Sequence, residues 1–203
     1  TSLNIHGYKD KSMKAGKIIS ELGNLYKLTT DDTTNTSSFR NNSLLHSLIL
    51  RSPRQENQLE NLNQSKLEKT LEKINSIAKD IDKIQLLEGN SKLIIRELKN
   101  TIAMLTIACN IGIEKSKINH KNIKTTQNQS WPQFVFTHTE PLSDIVVSEI
   151  KKIPPEKRNN IYKSLVDFIK EYEKIWLERN RIGGLKESKN RWITLINEYM
   201  PKE

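Results

Sequence analysis

The stretch KLEKTLEKINSIAKDIDKIQLLEGNSKLIIRELKNTIAMLTIACNIG, residues 66–112, decides the fold. Its first half is charged and thinly apolar. Leu67, Leu71, Ile74, Ala78 and Ile81 alternate spacings of four and three, which lays one narrow seam along a helix. Gly89-Asn90 then interrupts the pattern, and Ser91 is placed to cap a second helix. That helix, over about 91–111, is the most apolar in the chain, carrying Leu93, Ile94, Ile95, Leu98, Ile102, Leu105, Ala108 and Cys109, with Gly112 as its stop. With only a Gly-Asn corner between them, the two helices are expected to form a long antiparallel hairpin.

The rest of the chain follows the same period. Ser12 caps a helix to about Lys27, with Ile18, Ile19, Leu22, Leu25 and Tyr26 on one stripe. The polar run 29–38 reads as an exposed loop, and a short helix capped by Asn42 or Ser43 carries Leu44, Leu45, Leu48 and Ile49 before Pro53 ends it. Residues 114–140 read as an irregular loop pinned by Trp131, Phe134 and Phe136, with a short strand at 133–137 and a possible sub-boundary. A helix follows near 142–152. Pro154-Pro155 breaks the chain, and Pro155 suits the first turn of the next helix. Ile161, Leu165, Phe168, Tyr172, Ile175 and Trp176 give that helix its face; Gly183-Gly184 ends it, and a last helix spans 185–199. The expected fold class is all-α, an irregular bundle of six or seven helices in one domain over 1–203.

Composition narrows the function. The chain has 203 residues, 35% hydrophobic, with 7 Gly and 6 Pro, too few turn formers for an all-β fold. The net charge of +9 comes from Lys and Arg mixed with Glu and Asp along helix faces, not from a basic run interleaved with aromatics, so neither nucleic acid nor membrane is expected as a partner. The single Cys109 excludes an internal disulfide. That and the lack of a signal-peptide core favour a cytoplasmic location. No cofactor or metal is expected: His6, His46, His120 and His138 are scattered, and no phosphate loop or nucleophile elbow occurs. Asp31-Asp32 is a carboxylate pair in a polar loop, where nothing tunes a pKa.

Four stretches carry a family likeness: ELGNLYKLT (21–29), NNSLLHSLIL (41–50), IIRELKNTIAMLTIACNIGI (94–113) and YEKIWLERNRIGGLKESKNRW (172–192). In this order they resemble the α-helical C-terminal region that follows the catalytic barrel in one branch of family 20 glycoside hydrolases, the β-N-acetylhexosaminidases. The most specific is the last, with Trp176, Leu177, Arg179, Asn180, Arg181, Gly183, Gly184, Leu185 and Ser188 at the motif positions. The sequence departs from the pattern at Asn41, at Asn110-Ile111 and at Ile182, where a Pro is common. The resemblance implies a non-catalytic accessory domain that packs on the barrel of the same enzyme or on a second subunit, with a homodimer as one arrangement. It also implies that chemistry lies elsewhere. The family's catalytic Asp-Glu pair is a dipeptide found nowhere in this chain, and a (β/α)₈ barrel takes ~250 residues. Trp176, Arg179 and Arg181 are then the candidates for a barrel interface or the rim of a sugar site, and Gly183, Gly184 and Gly112 are helix stops. Read from helix physics alone, Trp176 is a core residue and the two arginines complement the helix dipole. A free-standing helical adaptor for a protein partner is the alternative, suggested by the charged 56–88 segment.

Overall fold

A computed structural model describes residues 2–29, 62–87, 89–118 and 150–201. The expected loop at 29–38 beyond Thr29, the short helix after Asn42, the aromatic-pinned loop and strand between 119 and 140, and the expected helix near 142–152 up to residue 149 lie outside these residues. The described chain is all-α. A π-helical turn, Leu3–Gly7, precedes α1 (Ala15–Gly23) and a 3₁₀ turn, Leu25–Leu28. Then come α2 (Gln64–Ile81), α3 (Ser91–Ser116), α4 (Pro155–Arg179) and α5 (Leu185–Tyr199). Among the described residues the only extended pairing is an isolated bridge between Asp10 and Leu86.

The helices pack as successive neighbours: α1 on α2, α2 on α3, α3 on α4, and α4 on α5. One core joins them, drawing Ile18 from α1, Leu67, Ile74, Ile77 and Ile81 from α2, Ile107, Ala108, Cys109 and Ile111 from α3, Leu165 and Phe168 from α4, and Trp192, Leu195 and Tyr199 from α5. Asn63 caps α2 by accepting the Lys66 amide at 3.1 Å. The buried stripe of α2 runs through Leu67, Thr70, Ile74, Ile77 and Ile81, so Leu71 and Ala78 of the expected seam sit at its edge. Thr70 is tolerated there because its hydroxyl donates back to the Lys66 carbonyl at 2.8 Å.

Several boundaries differ from expectation for identifiable reasons. Gly112 does not stop α3; the helix continues to Ser116 with Gly112 buried inside it. A single helical Gly costs only about 1 kcal/mol against Ala, and burial of Ile111 and Ile113 on either side favours continuation. Ser91 does not cap α3 either, since it is the first helical residue and the preceding Asn90 makes no side-chain cap bond. The link from α2 to α3 is longer than the Gly-Asn corner. α2 ends at Ile81, and residues 82–87 run on as an irregular segment held by the N-terminal loop, with Lys11 N donating to Gln85 O at 2.9 Å and Leu87 N to Lys9 O at 3.2 Å.

Asp10 organises that junction. Its carboxylate, 3% exposed, accepts the backbone amides of Ser12, Lys14, Ala15 and Gln85 and the hydroxyl of Ser12, all at 2.7–3.0 Å. It therefore serves the start of α1 in place of Ser12, and ties that start to the α2–α3 connection. Asn4 adds a second tie by accepting the Gly16 amide at 2.5 Å and donating to the Met13 carbonyl at 2.8 Å. Burial raises the Asp10 carboxyl, but the donors of Ala15, Ser12, Gln85 and Lys14 outweigh it and hold the pKa at about 2.

Candidate functional site

The corner between α4 and α5 holds every residue that the sequence nominates as an interface. It begins with a ladder of aromatic rings. Phe168, Tyr172 and Trp176 recur four residues apart on α4, so they stand on one face, and Trp192 of α5 packs against them. Ring centroids lie 5.9 Å apart for Phe168 and Tyr172, 5.9 Å for Tyr172 and Trp176, and 4.4 Å for Phe168 and Trp192. Trp176 is the half-buried end of the ladder. Its indole Nε1 donates to the Arg181 carbonyl at 3.1 Å, and its Cζ2 lies 3.6 Å from where a Cβ on Gly184 would stand. The indole thus fixes both sides of the turn.

The glycines do not terminate α4 in a left-handed C′ position, as their place in the sequence suggests. α4 ends at Arg179, with Asn180 in extended backbone donating its amide to the Trp176 carbonyl at 2.7 Å. Gly184 belongs to the next helix. It precedes α5 with φ +81°, a conformation that costs an L side chain but not Gly. Its carbonyl accepts the Ser188 amide at 3.0 Å. Ser188 in turn meets the Tyr172 hydroxyl at 2.6 Å, and Lys189 pairs with Glu173 at 2.6 Å, so α5 is locked back onto α4.

The arginines are distributed unequally. Arg179 does not cap its own helix: it forks onto Glu97 of α3, Nε to Oε1 at 2.7 Å and Nη2 to Oε2 at 2.9 Å. This bond holds the Glu97 carboxyl below its ordinary range and pushes the guanidinium up. The neighbouring Arg96 reaches the other way, to Glu171 at 2.6 Å and also to Glu178, and these two carboxylates raise its pKa. Arg96-Glu97 on α3 and Glu178-Arg179 on α4 are complementary dipeptides crossed between two helices. Arg181, by contrast, is exposed, and its side chain has no ion-pair partner among the described residues. Next to it in the chain Ile182 is 78% exposed, and Leu177, in the last turns of α4, is 50% exposed.

Sequence reasoning singled out Trp176, Arg179 and Arg181 but not Arg96, Glu97, Glu171 and Glu178 as the braces around them. The two opposite-charge dipeptides are visible in the text, but their pairing spans 82 residues, and only the α3–α4 contact reveals it. No catalytic constellation accompanies the corner. Cys109 is buried in the core, and burial pushes its thiol up to about 12, which keeps it protonated and unreactive at neutral pH. Among the described residues no three His, Cys, Asp or Glu side chains gather as a metal site requires, and no helix is long and apolar enough to cross a membrane. The chain matches no protein-family model, no curated protein and no solved structure.

Proposed function

We propose that this chain is a non-catalytic helical module that docks on a larger partner through its α4–α5 corner. On the resemblance of its sequence motifs, the partner is the catalytic barrel of a β-N-acetylhexosaminidase-like glycoside hydrolase. The observation that carries the reading is the contrast inside the corner. Trp176, Gly184, Tyr172, Ser188 and the crossed ion pairs hold a short turn in one shape. That turn presents Arg181 and Ile182 to solvent, an uncommitted cation next to an exposed apolar residue, and Leu177 is exposed in the last turns of α4. Rigid presentation of exposed apolar groups lowers the ordering cost of association. The braces make Arg179 a supporting residue and leave Arg181, with Ile182 and Leu177, as the surface available to a barrel.

Two measurements test this. The coding sequence upstream of Thr1, or in a neighbouring frame, is expected to encode a barrel with an Asp-Glu pair; a start codon at that point with no such barrel nearby overturns the enzyme assignment. The purified chain is expected not to hydrolyse an aryl β-N-acetylglucosaminide, and to bind the separately produced barrel in a way that Ile182→Asp abolishes. Turnover by the isolated chain, or binding unaffected by Ile182→Asp, counts against the reading.

A helical adaptor for another protein is the second reading, and a different observation supports it. Leu93 and Ile94, in the first turns of α3, are only half-buried and do not pack on the core, whereas Ile107, Ala108, Cys109, Ile111 and Ile113 of the same helix lie in it. The charged α2 segment that suggests an adaptor in the sequence offers no such surface, because its apolar stripe is already buried within the chain.

A further inference from the structure

The segment 2–14 is held in a different way from the helices behind it. Among its described side chains only Asn4 and Asp10 are buried, and none of the apolar ones joins the core or packs against it. Ile5 is 55% exposed and Met13 is 47% exposed, whereas Ala15 and Ile18, at the start of α1, are fully buried. The backbone adds a cost of its own. Lys9 at φ +44° and Met13 at φ +57° stand in the left-handed region, although neither is Gly.

What attaches the segment is a set of hydrogen bonds with two shared hubs. The Asn4 carbonyl accepts the Asp10 amide at 2.8 Å, and its side chain joins Gly16 to Met13. The Asp10 carboxylate takes the amides of Ser12, Lys14 and Ala15 on one side and that of Gln85 on the other. Around the Asp10–Leu86 bridge, Lys11 N donates to Gln85 O and Leu87 N to Lys9 O. The α2–α3 link that receives these bonds has anchors of its own: Ile84 packs on the core, and Asp82 pairs with Lys99 of α3 at 2.5 Å. The segment can therefore leave the link without the link leaving the bundle.

We propose that residues 2–14 form a clasp that opens from the α2–α3 link as one unit while the helix bundle stays folded. A region with little buried apolar surface and strained backbone opens at a lower free energy than the core it lies on. The shared acceptors make that opening all-or-none. When Asp10 leaves, the amides at the start of α1 and the Gln85 amide lose one partner together, and the Lys9–Leu87 and Lys11–Gln85 bonds go with it. Closed, the clasp covers the backbone edge of 85–87. Open, it leaves that edge unpaired and able to accept a strand from elsewhere. The device is independent of the docking corner and of any barrel.

Native-state hydrogen exchange on the full chain, followed by NMR in increasing urea, tests this. The amides of Ser12, Ala15, Gly16, Gln85 and Leu87 are expected to share one opening free energy and one shallow urea dependence, both below those of Leu165 and Phe168 in the core. Asn4→Ala gives the sharper readout, because among the described residues the Asn4 side chain bonds only to Met13 and Gly16 and not to the link. The substitution is expected to speed exchange by one common factor, at least about tenfold, at Gly16 beside it and at Gln85 and Leu87 across the junction. The proposal is overturned if the five amides exchange only at the free energy and urea dependence of the core, or if Asn4→Ala leaves Gln85 and Leu87 unchanged.

Discussion

The N-terminal junction around Asp10 and the corner over residues 176–188 are both turns that join helices, and they are built on opposite principles. At the junction the charged group itself is buried. One buried carboxylate takes five donors, four of them backbone amides from two distant parts of the chain. The corner is wet: its arginines meet their carboxylates at the surface, and only the aromatic ladder behind them reaches the core. The corner has the memorable sequence, with Trp, Arg and a Gly pair in a row. The junction has almost none. The difference teaches that prominence in the sequence does not measure energetic weight, since one buried charge held by several backbone amides matters more than several charges that water can still solvate.

That contrast can be broken by mutation, and the largest effect is expected at the quiet site. Asp10→Ala strips the shared acceptor from four backbone amides at the start of α1 and in the α2–α3 connection, and is expected to cost roughly 3 kcal/mol in urea unfolding; a loss below about 0.5 kcal/mol would erase the distinction between the two turns. Acid sharpens the same point. The carboxyl titrates at about 2 in the folded chain against 3.8 ordinarily, so its contribution is complete above the ordinary value and is lost as pH falls through about 2. Stability attributable to Asp10, roughly 2 kcal/mol, should vanish over that window. The Asp10→Asn chain should lack this part of the pH dependence, and equal acid sensitivity in both chains would refute the assignment.

Effects at the corner are expected to be smaller. Trp176→Ala removes the half-buried end of the ladder, the bond to the Arg181 carbonyl and the contact over Gly184. A cost of about 2 kcal/mol is expected, below the 3–5 kcal/mol of a fully buried Trp. Gly184→Ala should cost about 1 kcal/mol. The added Cβ meets Trp176 at an ordinary 3.6 Å, so the penalty is that of φ +81° and not of a clash. The smallest effect belongs to the crossed ion pairs. Glu97→Arg and Arg179→Glu should each lower Tm by a few degrees at most, and the double swap should restore it. The difference should fade at about 1 M salt, where surface charges are screened. A single swap as damaging as Asp10→Ala would mean that the corner, not the junction, carries the fold.

The helices were readable because their information is local. The 3.6-residue spacing of Ile161, Leu165, Phe168 and Ile175 marks the buried face of α4, Pro155 marks its first turn, and the last helix occupies the expected 185–199. Their ends were less readable where burial competes with propensity, as at Gly112, which stays helical because its neighbours are in the core. The WLERNRIGGLKES string stands out as a helix stop beside Trp and Arg, but the partners of its side chains cannot be found in it. Glu97 lies 82 residues from Arg179, and Gln85 lies 75 residues from Asp10. Periodicity and punctuation are properties of a short window of chain, and so the sequence by itself determined an all-α chain and where most of its helices run. A carboxylate's partners depend on which helices are brought side by side. Only the tertiary structure decided that Asp10 is a hub, that Arg179 serves α3, and that Arg181 and Ile182 face outward.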